Sequence, residues 1–359
     1  MINFAFSCRK PGKKIIPANL MPWILIGMVA VTSMIAAIRF YNRVFKCNIN
    51  LKGVPSTIFY IHSGSGFKEV SLALRETGLI IDQKSFEWLS ERKNYVSRVR
   101  PGRYRIKDKM TNLELVNLLR SGMQEPVLLK IQNVRTKEEL AGRIGRRLEA
   151  DSANLVRLFN DPVFLERFGL TPTTLFKLFI PNTYEVYWNT SPSQLFSRMN
   201  KEFNAFWNEK RKNQAALEGL SIEQVVTLAS IVEKETARDD EKPMIAGVYL
   251  NRLKKHMPLQ ADPTVIFALN DYSIRRVLNS HTRTASPYNT YLHPGLPPGP
   301  ICLPSISSID AVLQPVKHSY LYFCAREDFS GYHSFASDLT THNRNARKYQ
   351  QAIDKLKIR

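Results

Sequence analysis

Apolar residues recur at helical spacing through Ile222, Val225, Val226, Ala229 and Val232, and Leu228 and Ile231 widen the stripe into a second flank. Ser221 stands before the first of them and Gln224 three residues later, the capping-box pair that satisfies two backbone donors at a helix start. Only Thr227, Ser230 and Lys234 are left as a polar strip, so the pattern predicts a helix covered by protein on most of its surface. Its last turn carries two acids. Glu235 lies four residues after Ile231 and seven after Leu228 and so extends one apolar flank; Glu233, four after Ala229 and seven after Val226, extends the other. Two residues apart on a helix is about 200°, so a single site cannot use both equally.

The same reading along the rest of the chain predicts a strand at 57–61 ending in a Gly-Ser-Gly turn, helices at 67–76 and 85–92, and a strand at 102–106 after a Pro-Gly pair. Thr111 and Glu114 form a capping box for a further helix closed by Gly122, which gives the order strand, helix, helix, strand, helix. Residues 126–219 read as mainly helical with an irregular break at 179–187, and a helix is expected over 243–255. Residues 258–301, rich in Pro, Gly, Asn and Tyr, read as loop-built surface; short strands at 320–324 and 333–335 and a basic C-terminal helix follow.

Near the N-terminus residues 18–38 contain no charged side chain, and at about 1.5 Å per residue they span the roughly 30 Å of a bilayer's hydrocarbon. A retained transmembrane helix is expected; the competing reading, a cleaved signal peptide, lacks a small-x-small cleavage site after the run. Arg9, Lys10, Lys13 and Lys14 precede the run and Arg39, Arg43, Lys46 and Lys52 follow it, so charge does not orient it.

At 359 residues and 44% hydrophobic, the chain is long enough for two cores. Its net charge of +20 invites an anionic partner. Without a zinc-finger, helix-turn-helix or RNA-recognition signature, and with a membrane tether, nucleic acid is not the expected one; cell-wall peptide stems, which carry carboxylates, suit a basic face. Cys8, Cys47, Cys302 and Cys324 form no CxxC, and the seven histidines form no HExxH, so no metal or other cofactor is expected. Cys302 and Cys324 read as small buried hydrophobes or, in an oxidising compartment, a pair.

A carboxyl placed against apolar side chains loses hydration in its charged form, its pKa rises, and it holds a proton near neutral pH to give to a leaving oxygen. That chemistry suits glycosidic cleavage. A solvated Glu-Lys-Glu turn at a helix end is the alternative.

Ala229-Ser230-Ile231-Val232-Glu233-Lys234-Glu235-Thr236, Asn251-Arg252-Leu253, Leu259-Gln260-Ala261-Asp262-Pro263-Thr264-Val265, Tyr288-Asn289-Thr290-Tyr291, Gly295-Leu296-Pro297-Pro298-Gly299-Pro300-Ile301, Tyr320-Leu321-Tyr322-Phe323 and His333-Ser334-Phe335 together resemble the MltG (YceG-like) endolytic murein transglycosylases. The resemblance implies an α+β protein: a cytoplasmic tail (1–17), a single transmembrane helix (18–38), a linker (39–55), a small LysM-like subdomain (56–125) and a lysozyme-like, YceG-like catalytic domain (126–359). It implies a plasma-membrane enzyme with its bulk outside the cytoplasm. Such an enzyme cuts peptidoglycan strands between N-acetylmuramic acid and N-acetylglucosamine, leaves 1,6-anhydro ends and terminates nascent strands beside cell-wall synthases.

By this resemblance Glu235 is the catalytic acid, with Glu233 as the fallback. Gln260, Asp262 and Thr264 are expected to bind sugar hydroxyls, although Asp-Pro-Thr equally reads as a turn and helix start. Tyr288, Asn289, Thr290 and Tyr291 combine aromatic faces for sugar rings with amide and hydroxyl partners. His333 either donates to substrate or is structural. Asn182 stands where the family usually has Asp. The rivals are a muramidase that uses Asp262 as second carboxyl, and a wall-binding scaffold without turnover.

Overall fold

The long apolar run becomes α1 (Met21–Phe45), 25 residues containing an 18-residue stretch with a mean hydropathy of 2.0, its side chains exposed almost throughout. In the computed structural model, which describes residues 21–355, the helix continues past the expected boundary at Ile38 into the stretch read as a basic linker. The reason lies at its far end: Val44 is buried, and Asn112 donates to the Arg43 carbonyl at 2.8 Å, so the last turn is held by the unit that follows. The proposed tail and the first three residues of the predicted span lie outside the described residues.

The chain divides into two units, Met1–Glu125 and Pro126–Arg359. The first continues with β1 (Ser56–Ile61), α2 (Phe67–Glu76), α3 (Gln83–Arg92), β2 (Gly102–Lys107) and α4 (Asn112–Ser121), the order read from the sequence. The strands pair antiparallel from Ser56 opposite Lys107 to Ile61 opposite Gly102, and their alternation sends Phe59, Ile61, Tyr104 and Ile106 into a core shared with Leu74, Phe86, Leu115 and Leu119. The capping box of Thr111 and Glu114 forms as expected, and Gly122 closes α4 at φ +71°, a left-handed conformation that costs glycine little.

The second unit opens with a correction. β3 (Val127–Ile131) precedes α5 (Lys137–Gly145), α6 (Ser152–Phe159) and α7 (Pro162–Glu166), and then β4 (Asn182–Val186) returns to pair antiparallel with β3. The region read as helical with an irregular break is thus partly a two-stranded sheet. Leu129 and Ile131 on one strand and Tyr184 and Val186 on the other point inward, a period of two too short to stand out beside long helices. Around this sheet pack Leu140, Ile144, Phe159, Phe179 and Phe196.

After α8 (Pro192–Phe206) and α9 (Glu209–Leu217) comes the predicted capped helix, α10 (Ile222–Glu235), followed by α11 (Lys242–Lys254). These two form a second core with α13 (Ile306–Leu313) through Val225, Leu228, Ile231, Ile245, Tyr249 and Val312. Between them α12 (Asp262–Leu269) corrects the expectation of loop from 258 to 301. Pro263 sits in its first turn, where no N–H is needed, and Asn270 closes it at φ +51°. The chain ends with β5 (Tyr322–Ala325) and β6 (His333–Ala336), paired antiparallel, and α14 (Leu339–Lys355). Cys302 is fully buried and Cys324 half-buried, and both are free thiols.

Candidate active site

α10 is packed on nearly every side. Thr227 and Ser230, read as part of a polar strip, are buried: the Ser230 hydroxyl donates to the Thr227 carbonyl and accepts from the backbone N–H of Ile301 at 2.9 Å. The Gly-Leu-Pro-Pro-Gly-Pro segment is thereby pinned along the helix. On its other flank Gly299 lets the segment pass close to Thr173, since a Cβ there would collide with that residue's carbonyl oxygen. Of the strip only Lys234 stays exposed.

The two acids at the helix end meet different surroundings. Glu233 turns to the start of α13, where its Oε2 accepts from the Ser305 hydroxyl at 2.5 Å, the Ser305 backbone N–H at 3.2 Å and the Ser308 hydroxyl at 2.5 Å. The ammonium of Lys242, itself buried, lies 3.1 Å from the same oxygen. Burial alone would raise the carboxyl's pKa, but these donors and the positive charge outweigh it and hold the group below its ordinary value. Near neutral pH Glu233 is a charged clasp between α10, α11 and α13.

Glu235 faces the other way. Burial pushes its carboxyl up to about 7; the hydrogen bond from Tyr249 and the charge of Arg252 pull it down, while Asp262 pushes it further up. The Tyr249 hydroxyl donates to Oε1 at 2.5 Å from the facing turn of α11. Arg252, one turn further along α11, is buried and spends its guanidinium on the carbonyls of Leu321 at 2.6 Å and Leu259 at 2.8 Å. Glu235, Tyr249, Arg252, Gln260, Asp262, Tyr291, Tyr322 and His342 line one cleft of about 340 Å³. A neighbouring depression of about 490 Å³, lined by Glu233, Lys234, Thr236, Asp239 and Lys242 among others, also reaches Glu235. The acid sits where two recesses meet.

The expected binding residues separate into three groups. Gln260, Asp262 and Tyr291 line the cleft with Glu235, and the Tyr291 hydroxyl donates to Asp262 Oδ1 at 2.6 Å. Gln260 is held there at φ +51°, an uncommon conformation for a residue with a side chain, by its N–H bond to the Thr290 carbonyl. Thr264, Asn289 and Thr290 correct the expectation of direct sugar contact: all are buried and already partnered. The Thr264 and Thr290 hydroxyls meet at 2.8 Å, and Asn289 donates to the carbonyls of Thr282 and Thr284. They tie the 282–291 segment to the start of α12, and so place Tyr291. Tyr288 and His333 do not line the cleft of Glu235. Tyr288 packs on Phe267 in another depression, and His333 pairs with buried Glu241 at 2.7 Å, with Thr236 bonded to the same carboxylate.

Sequence reasoning missed Tyr249 and His342, and gave Arg252 and Tyr322, both inside quoted motifs, no role. A signal exists in Ile245, Tyr249 and Arg252, which share one face of α11 at four- and seven-residue spacing, so a tyrosine and an arginine occupy positions of a buried stripe. Among the described residues no group of His, Cys, Asp and Glu side chains has the arrangement of a metal site.

The model of the YceG-like family matches residues 59–348. An endolytic murein transglycosylase of Bacillus subtilis (strain 168) is 30% identical over 305 residues, which cover 80% of this chain and 83% of that protein. An endolytic murein transglycosylase of Streptococcus pneumoniae serotype 2 is 28% identical over 325 residues; the match covers 80% of this chain and 57% of the pneumococcal protein. The crystal structure of a putative yceG-like protein from Listeria monocytogenes matches with a TM-score of 0.53 and 28% identity, over 80% of this chain and 98% of that one. With its family match running from β1 to α14, the chain belongs to the YceG-like family.

Proposed function

We propose that the protein is a membrane-anchored peptidoglycan lytic transglycosylase in which Glu235 serves as both acid and base. The observation that carries this reading is one carboxyl, held near neutral pKa by burial, at the junction of two recesses. The relatives' names support the substrate class. Glu235 protonates the bridging oxygen between C1 of N-acetylmuramic acid and O4 of N-acetylglucosamine; the C1–O4 bond breaks and positive charge develops at C1. The resulting Glu235 carboxylate takes the proton of the muramic acid 6-hydroxyl while O6 bonds to C1. A 1,6-anhydro end and a free 4-hydroxyl form, Glu235 recovers its proton, and no water is consumed. Tyr249 supports the carboxylate between the two steps, and Gln260, Asp262 and Tyr291 hold sugar hydroxyls.

Two recesses that both reach the acid leave room for more of a strand than the two sugars being parted, which supports cutting inside strands. In this reading α1 holds the protein in the plasma membrane with both units outside the cytoplasm, where cutting terminates strands made by nearby synthases. The βααβ core of the first unit, with its strands antiparallel, supports a LysM-like glycan-holding role.

Full-length Glu235→Gln is expected to keep its fold and wall binding and to lose about 10² to 10⁴-fold in strand cleavage, the usual worth of a general acid-base group. Full activity in that variant places the acid elsewhere, and a wild-type protein that binds wall but releases nothing is the scaffold. A second reading rests on Asp262, which shares the cleft: a muramidase in which Asp262 activates water and leaves reducing ends.

A further inference from the structure

We propose that the small cavity walled by Arg135, Lys234, Phe267, Tyr272, Ile266 and Ile274 receives the carboxylate-bearing peptide stem of the strand being cut. The assignment rests on the transglycosylase reading above. The cavity holds about 170 Å³, below the roughly 300–1,000 Å³ of a pocket that takes a whole ligand, so it suits a side branch better than a further run of sugars. Its walls are aliphatic and aromatic, and none of its lining residues is acidic. Arg135 lies over the Tyr272 ring at 4.9 Å, exposed, and Lys234 is exposed as well. Among the described residues neither side chain makes an ion pair: Glu139 is paired with Arg143 and Glu233 with Lys242. Two cations without an ion-pair partner above an apolar floor match a carboxylate on a short aliphatic chain.

Position makes the same point. The stem hangs from the muramic acid ring whose C1 bond breaks, so it must start within one ring of the acid. Lys234 is the residue before Glu235 and borders both this cavity and the recess that reaches Glu235. The adjoining depression of about 320 Å³ has Glu138 in its wall, which places the carboxylate on the Lys234 side.

The test is binding to the full-length protein in detergent micelles, carrying Glu235→Gln to prevent turnover, of wall tetrasaccharides with and without pentapeptide stems. Stem-bearing tetrasaccharide is expected to bind at least tenfold tighter, and adding Arg135→Gln with Lys234→Gln is expected to erase the difference. Arg347→Gln with Lys348→Gln, the same charge change on exposed positions of α14, is expected to preserve it. Equal affinities before substitution, or a difference that survives the Arg135 and Lys234 changes, overturns the stem site. Failure of the wild type to cut strands overturns the proposed function instead, and the two failures are read in separate experiments.

Discussion

Glu233 and Glu235 are the same amino acid on the same helical turn, yet one is held below the ordinary carboxylate range and the other at about 7. The difference is the count of donors each meets after losing water: two serine hydroxyls, a backbone N–H and an ammonium for Glu233, a single tyrosine hydroxyl for Glu235. Tyr249→Phe removes the bond that favours the charged form, so Glu235 should hold its proton to higher pH. The alkaline limb of the pH–rate profile is expected to move up by about one unit, the worth of a hydrogen bond to a charged group; an unmoved limb would separate Tyr249 from the acid. That Glu235 would lose water through burial was legible from its spacing to Ile231 and Leu228. Tyr249 was not, because it reaches the carboxyl from another helix and only packing brings them together. Thr264, Asn289 and Thr290 misled for the converse reason: polar residues in a Pro- and Asn-rich stretch look solvent-facing, and here they bond one another beneath the surface.

At the scale of elements, α10 is positioned by neighbours that grip its C-terminal half. Ser230 takes the Ile301 N–H, and Glu233 clasps the first turn of α13, where its charge also faces the positive end of that helix. Glu233→Gln leaves the buried ammonium of Lys242 with the exposed carboxylate of Asp239 and serine hydroxyls, and is expected to cost about 3 kcal/mol in the second unit's unfolding free energy. The sign of the pH dependence follows from the lowered folded pKa. Glu233 contributes stability above the unfolded carboxylate value of 4.5, and this is lost as pH falls through the folded value, so wild type and variant should converge in acid and differ most near neutrality. A constant difference down to strong acid contradicts the clasp. Elements with strong local signals were legible: the capped α10 and α4, the β-branched and aromatic β1, the strand after Pro-Gly that became β2. The β3–β4 pair was not, since Val127–Ile131 and Asn182–Val186 become strands through each other across about fifty residues of chain.

Across the whole molecule, the candidate site lies in the second unit, beside the core of α10, α11 and α13, in a cleft lined from α10, α11, α12, β5, α14 and the segment carrying Tyr291. The first unit takes the end of the apolar α1 into its own core, so the candidate membrane helix and that unit are joined without a free linker. Everything proposed for the activity depends on the muramic acid's own hydroxyl, and not water, capturing C1. The most direct test digests purified glycan strands with the full-length protein in isotopically heavy-oxygen water and weighs the new ends. The account predicts ends lighter than reducing ends by one water and free of the heavy isotope; labelled reducing ends would contradict it.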